Sequence, residues 1–290
     1  MLRWFGRAAR ATQLHVRPHS HHCTMQAPDQ TALAKIRRIT CAIGVLKVSV
    51  DDYTKDPADP KFKIFGTGFL IAPMLALTNR HVLTNLTAFL EKESLPKNRR
   101  HVAFTRPDGI GIAQSFHEFE KMAVITNHHF DVGLIAFRAT EADPIREVEP
   151  AQIDAVASYE VGDPVGVYGY AFGEGLLKRE FGERERIYRF GPVLQQGYIS
   201  GLSPYDHSES IDRMLLDVRT ARGMSGAPVF NLQTGLVHAL HSAGIEDTVA
   251  FAIPINSQMV CTFAEMARTG APGDKGESTL QVVSRRPNGA

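Results

Sequence analysis

The chain has 290 residues, of which 43% are hydrophobic, 8% aromatic and 22% charged, with a formal net charge of +1. That balance belongs to an ordinary globular protein and excludes disordered, collagenous or fibrous chains. It also gives no global electrostatic case for nucleic acid or an acidic membrane surface.

Residues 1–28 carry Arg3, Arg7, Arg10 and Arg17 but no acidic residue, with Leu2, Trp4 and Phe5 nearby. This has the character of a mitochondrial transit peptide, or of an extension preceding a true start at Met25. His15, His19, His21, His22 and Cys23 read as a flexible His-rich tract. Residues 1–33 are therefore expected to be disordered or targeting. Three cysteines, Cys23, Cys41 and Cys261, are too few and too scattered for a disulfide framework or a thiolate metal site. An intracellular, reducing compartment is expected, mitochondrial or cytoplasmic.

From Ala34 onward the pattern is β. Short β-branched, apolar runs occupy 43–50, 64–71, 132–137, 165–170, 196–200, 214–218, 227–230, 236–240 and 249–253, separated by Gly, Pro, Asn and Asp. Many short strands without alternating long helices predict barrels or sandwiches. Helical spacing appears over 82–94 and over 257–268, the latter after Asn256 or Ser257 as N-cap. The longest apolar run, Phe69 to Leu77, contains Pro73 and is too short to span a bilayer as a helix. The expected organisation is a β-barrel over 34–138, a linker over 139–160 and a second β-barrel with terminal helix over 161–269. Lys178 to Arg189 reads as a solvated loop, and 270–290 as a disordered tail.

Three segments carry chemistry: Gly66 to Val82 with His81 near its end, Asp131 opening an apolar run, and Arg222-Gly-Met-Ser225-Gly-Ala-Pro. A serine hydroxyl is a weak nucleophile until a base takes its proton, and imidazole titrates in the range that suits this task. A carboxylate can then hold the imidazole tautomer and stabilise the imidazolium. Each residue alone has a plainer reading, as a structural histidine, a strand-start acid or a turn serine. Together, a Thr-x-x-His segment, an Asp before an apolar strand and Gly-x-Ser-Gly, in that order, resemble the chymotrypsin-like serine protease superfamily. Gly235-Leu-Val-His and Ala250 to Asn256 are similar to the end of a Deg/HtrA-type protease domain. The resemblance spans about residues 40–265. It implies an all-β fold of two six-stranded antiparallel barrels with the site between them. His81, Asp131 and Ser225 would then be catalytic, with the N–H groups of Gly223 and Ser225 as oxyanion hole. Met224 and Ala227 depart from the usual Gly-Asp/Asn-Ser-Gly-Gly-Pro. An α/β-hydrolase is excluded, because it needs the order Ser, acid, His.

The resemblance also implies a substrate pocket walled by residues 219–223 and 239–244. Leu240-His241-Ser242-Ala243-Gly244, with Thr220 five positions before Ser225, looks like the specificity segment of glutamyl endopeptidases and picornain-type viral proteases. An imidazole N–H and a hydroxyl there can donate to a Glu or Gln side chain. The alternative is a core histidine bonded to a neighbouring backbone carbonyl. Substrate would add as a strand near Ser242 to Gly244.

A serine endopeptidase is therefore expected, with a polypeptide substrate and no cofactor, metal, nucleic-acid partner or membrane span. The competing expectation is a protease-like binding module whose triad is vestigial or latent. An enzyme held inactive until its oxyanion loop is ordered is a third. Activation by a new N-terminus paired with an acid before the nucleophile has no acid to use, since Met224 stands there. No PDZ domain is expected, since few residues follow the last helix. His117, His128 and His129 receive no role.

Overall fold

The computed structural model describes residues 27–50, 52, 61–107, 112–125, 131–153, 159–171, 176–177, 187–188, 191–204, 211–245, 249–269 and 277–280. The Arg-rich and His-rich start through residue 26, His128, His129 and nearly all of the 178–189 loop lie outside these.

Two closed six-stranded antiparallel barrels form the body of the chain. The first contains β1 (Thr40–Leu46), β2 (Phe62–Ala72), β3 (Leu75–Thr78), β4 (Arg100–Pro107), β5 (Ile112–Ile125) and β6 (Gly133–Phe137). They pair in the order β5-β4-β1-β2-β3-β6, and β6 closes onto β5. The second contains β7 (Pro164–Gly169), β10 (Val193–Ser203), β11 (Arg213–Leu216), β12 (Pro228–Asn231), β13 (Val237–Ile245) and β14 (Val249–Pro254), closed in the order β10-β11-β14-β13-β12-β7. A two-residue pair, β8 (Leu176–Leu177) and β9 (Ile187–Tyr188), stands apart.

Alternation of side chains along each strand sorts two cores. Val165, Val167, Val229, Ala239, Ala250 and Ala252 fill the second barrel with Met214, Leu216 and Met224. The alternate residues Tyr168, Phe230, Leu240 and Ile253 point out of it, into the large cluster formed with the first barrel's Phe69, Leu77, Leu134 and Phe137. Apolar contact thus runs continuously from one barrel to the other and holds the cleft between them in one geometry.

Among the described residues, three longer helices pack around this body. In α1 (Gln30–Ile39), Asp29 caps the N-terminus by accepting from the N–H groups of Thr31 and Ala32. Its Leu33, Ile36 and Ile39 enter the inter-barrel core, and Asp29 N–H donates to Leu232 O at 2.9 Å. Residues 30–33, expected to be disordered, therefore belong to a packed helix. The cause is an apolar stripe with helical spacing hidden among Lys35, Arg37 and Arg38. α2 (Arg80–Lys92) and α3 (Ser257–Thr269) match the expected helices. Asn256 is the α3 cap, accepting from Met259 N–H at 2.8 Å.

Among its described residues, 139–153 and 159–160, the expected linker holds a turn at 141–142 and a 3-10 turn at Pro144–Glu147. Ala151 N–H donates to Leu70 O of β2, and Gln152 O accepts from Val237 N–H of β13, both at 2.8 Å. Within the tail expected to be disordered, Glu277–Leu280 forms β15, which pairs parallel with Met122–Ile125 of β5. Among the described residues no helix is long and apolar enough to cross a membrane.

Candidate active site

His81 lies in the first turn of α2, where backbone N–H groups have no intrahelical acceptor. Asp131, just ahead of β6, supplies one from across the barrel: its Oδ1 accepts from His81 N–H at 2.9 Å. Its Oδ2 accepts from His81 Nδ1 at 2.5 Å and from Ser242 Oγ at 3.0 Å. Asn79 Nδ2 donates to Asp131 O at 2.9 Å and so fixes the backbone that carries the carboxylate.

Burial alone would raise the Asp131 pKa, but the donors from His81 and Ser242 outweigh it and hold the carboxyl below its ordinary value. An ionised carboxylate can only accept, so His81 Nδ1 carries a proton, and an uncharged ring held this way has its lone pair on Nε2. That is the arrangement required of a general base. The His81 side chain is 39% exposed and open to a substrate, whereas Asp131 is 22% exposed.

Ser225 sits in a double turn that two left-handed glycines make possible, Gly223 at φ 94° and Gly226 at φ 87°. A Cβ on Gly226 would come within 2.0 Å of Thr67 O, so the turn that carries Ser225 presses directly on β2. Thr67 joins the two barrels at this point. Its N–H donates to Ser225 O at 2.7 Å, and its hydroxyl donates to Gly223 O at 2.8 Å. The same hydroxyl accepts from Tyr170 N–H at 2.9 Å.

The N–H of Met224 is used within the turn, on Ala221 O. The N–H groups of Gly223 and Ser225 donate to no protein group among the described residues. Two free donors flanking the serine can stabilise charge that develops on a carbonyl oxygen.

The residues that depart from the family pattern are accommodated by packing. Met224 is fully buried in the second-barrel core. Ala227 is also fully buried, and Gly169 makes its room, since a Cβ at Gly169 would lie 2.8 Å from that of Ala227.

The Ser225 hydroxyl donates to Ser242 O at 3.0 Å. No hydrogen bond joins it to His81 among the described residues. Ser242 therefore touches both halves of the site, its hydroxyl on Asp131 and its carbonyl under Ser225. It does so at a break in the β13–β14 register between His241 and Ala243. On the opposite edge, β12 pairs with β13 only as far as Leu240, which leaves Ser242 to Gly244 open to another strand among the described residues.

The expected pocket residues Thr220 and Gly244 face each other, with Thr220 Oγ1 2.5 Å from where a Gly244 Cβ would be. His241 is 2% exposed, and its Nδ1 is 3.1 Å from Met224 O. Its donor nitrogen is thus committed to a neighbouring carbonyl, the alternative raised from sequence. His117 is buried on β5, with Nδ1 3.5 Å from Asp143 Oδ2 and Nε2 3.1 Å from Ser115 Oγ, in a different part of the fold.

A family model described as the trypsin-like peptidase domain matches residues 66–240. The chain belongs to the trypsin-like peptidase family. Among solved structures, Deg5 is similar with a TM-score of 0.53 and 19% identity, over 86% of this chain and 95% of that one. The HtrA-type protease AlgW, solved with a tripeptide, gives a TM-score of 0.51 and 14% identity over 81% of this chain and 62% of that one. At these identities the likeness is one of fold. A comparison with curated protein sequences gives no match. Membership makes the protein a protease of the trypsin-like class, with peptides as substrates.

Proposed function

We propose that this protease is a serine endopeptidase in which Ser225 attacks the scissile carbonyl, His81 takes and returns the proton, and Asp131 holds the imidazole. The observation that carries the reading is the pair of hydrogen bonds from His81, backbone and ring, to the two oxygens of one carboxylate. Free N–H groups at Gly223 and Ser225 support an oxyanion hole beside the same serine. The steps are addition of Ser225 Oγ to the carbonyl, expulsion of the amine with a proton from His81, and hydrolysis of the acyl-enzyme by water.

The resting hydroxyl is turned toward Ser242 O. A peptide adding along Ser242 to Gly244 would bring a backbone N–H to that carbonyl and release the hydroxyl toward His81. A pocket formed by Thr220, His241, Ser242, Ala243 and Gly244 would read a Glu or Gln side chain before the scissile bond.

The second reading, a latent or inactive peptide-binding module, draws on the same hydroxyl orientation and on Met224 and Ala227. Digestion of a mixed peptide library, followed by mass spectrometry, separates the two. Cuts that vanish in Ser225→Ala support the enzyme, and peptide binding without cuts in either protein supports the module.

A further inference from the structure

On the first-barrel side of the cleft, β2 and α2 together hold a cation on an aromatic platform. Lys63 Nζ lies 4.4 Å from the ring centroid of Phe89 and 5.7 Å from that of Phe65, and the two rings pack at 5.3 Å. Ring faces attract an ammonium, so the long Lys63 stem is partly ordered before any ligand arrives. All three side chains are half-buried. No carboxylate pairs with Lys63 among the described residues, although Glu91 and Glu93 stand near the end of the helix that carries Phe89. A second cation shares this face: Val45 pairs with Lys63 on one side and with Arg100 on the other, which sets the two about 10 Å apart. Arg100 in turn lies 5.7 Å from the ring centroid of Phe119.

Both elements tie this platform to the Ser225 turn. Phe65 has no partner on β1, because it falls in the register break between Ile64 and Gly66. At the adjoining Gly66, a Cβ would lie 2.5 Å from Val82 Cγ2 and 2.9 Å from Ser225 O. Val82 follows His81 and falls on the same stripe of α2 as Phe89. From that meeting point, Gly66 back to Lys63 along the strand and Val82 on to Phe89 along the helix each span about 10 Å. The acyl half of a substrate would lie along Ser242 to Gly244 in the second barrel. The amine that His81 protonates would leave on the other side, toward α2 and β2. An extended peptide advances about 3.3 Å per residue, so it comes level with the ammonium about three residues beyond the scissile bond.

We propose that Lys63 selects substrates carrying Asp or Glu about three residues after the scissile bond. This rests on the serine endopeptidase reading and adds a feature of the substrate to it. A carboxylate at that place gains a cation already held in position, whereas a Lys or Arg adds a like charge beside Lys63 and Arg100.

The test compares peptides that are identical except for Glu, Ala or Lys at the second, third or fourth position after the scissile bond. Cleavage is measured with the parent, Lys63→Met and Lys63→Glu proteins, and binding by fluorescence anisotropy with the same three carrying Ser225→Ala. Met keeps an unbranched stem on the two rings and removes the charge. In the parent, Glu at one of these positions should raise kcat/KM about fivefold over Ala, the upper end for an exposed ion pair. The gain should come through KM, with kcat unchanged, and should shrink at about 1 M NaCl, where charges are screened within ~3 Å. Lys63→Met should abolish the preference, and Lys63→Glu should transfer it to the Lys peptide. A parent that treats Glu, Ala and Lys alike, or that neither cuts nor binds any of the peptides, overturns the proposal, as does a Glu preference that survives in Lys63→Met. Fluorophosphonate labelling of Ser225 is read in parallel. Glu preference in binding without cleavage or labelling keeps the Lys63 assignment and removes the endopeptidase reading, whereas cleavage and labelling without that preference do the reverse.

Discussion

Replacing Thr67 by Val tests whether one buried hydroxyl fixes the Ser225 turn across the two barrels. The substitution is close to isosteric, and Thr67 is fully buried, so no water can stand in for the missing oxygen without rearrangement. Two bonds are lost: the donor to Gly223 O at 2.8 Å and the acceptor of Tyr170 N–H at 2.9 Å. Each leaves a backbone group unpaired, at about 1–3 kcal/mol apiece, so a loss of roughly 2–6 kcal/mol in unfolding free energy is expected. Equilibrium urea denaturation measures this directly. The carbonyl of Gly223 belongs to the turn that carries the proposed oxyanion donors, so on that proposal catalysis should suffer beyond stability. With the protein fully folded, kcat/KM should fall about tenfold or more, a fraction of what deleting an oxyanion donor costs. Thr67→Ser keeps both bonds and should restore activity while remaining modestly less stable. A Val variant within about 0.5 kcal/mol of the parent, the usual scatter of neutral substitutions, and with unchanged kcat/KM, would refute the reasoning.

Other perturbations act on the same geometry. Gly226→Ala places a Cβ 2.0 Å from Thr67 O and 2.5 Å from Thr78 Oγ1 at a φ of 87°, so the variant should yield little folded protein in a thermal unfolding assay. Ser242→Ala removes a donor from Asp131 and should lower kcat/KM about tenfold, consistent with the strength of a hydrogen bond to a charged group, while far-ultraviolet circular dichroism stays unchanged. Acidification should weaken the fold in two windows. His241, lowered from 6.5 to about 4 by burial, binds its proton in the unfolded chain before the folded one. Stability is therefore fully present above pH 6.5 and declines by on the order of 3 kcal/mol as the pH falls toward 4, a slope that urea titrations should find flattened in His241→Gln. Asp131, whose folded pKa is depressed, adds a further loss only as the pH drops below the ordinary carboxylate range.

The second barrel was more legible in the sequence than the first. Its strands are apolar runs such as Val165 to Tyr170 and Val249 to Ile253, buried toward its own core and toward the inter-barrel cluster on alternate faces. By contrast, β4 and β5 escaped because polar residues interrupt them: Arg100, His101, Thr105 and Arg106 in one, Gln114, Ser115, Glu118, Glu120 and Lys121 in the other. The strand-scale apolar signal is diluted where one face of a strand meets solvent. α1 was missed for a related reason, although Asp29 followed by the Leu33, Ile36 and Ile39 stripe carries a readable helix start.

At the site, the order and spacing around His81, Asp131 and Ser225 were readable, and the structure brings His81 and Asp131 into direct contact. The supporting residues were not readable, because their roles exist only in three dimensions. Thr67 meets Gly223 156 positions away, Ser242 meets Asp131 across 111, and Asn79 meets Asp131 across 52. The direction of the His241 hydrogen bond was equally hidden, since it depends on which backbone carbonyl the ring happens to face.

The central claim is that Ser225 is a nucleophile activated by His81, and fluorophosphonate modification followed by intact-mass analysis and peptide mapping addresses it most directly. The account predicts a single adduct per chain, located on Ser225, and strongly slowed in His81→Ala. No adduct under conditions that label other serine proteases, or an adduct on a different serine, would contradict it.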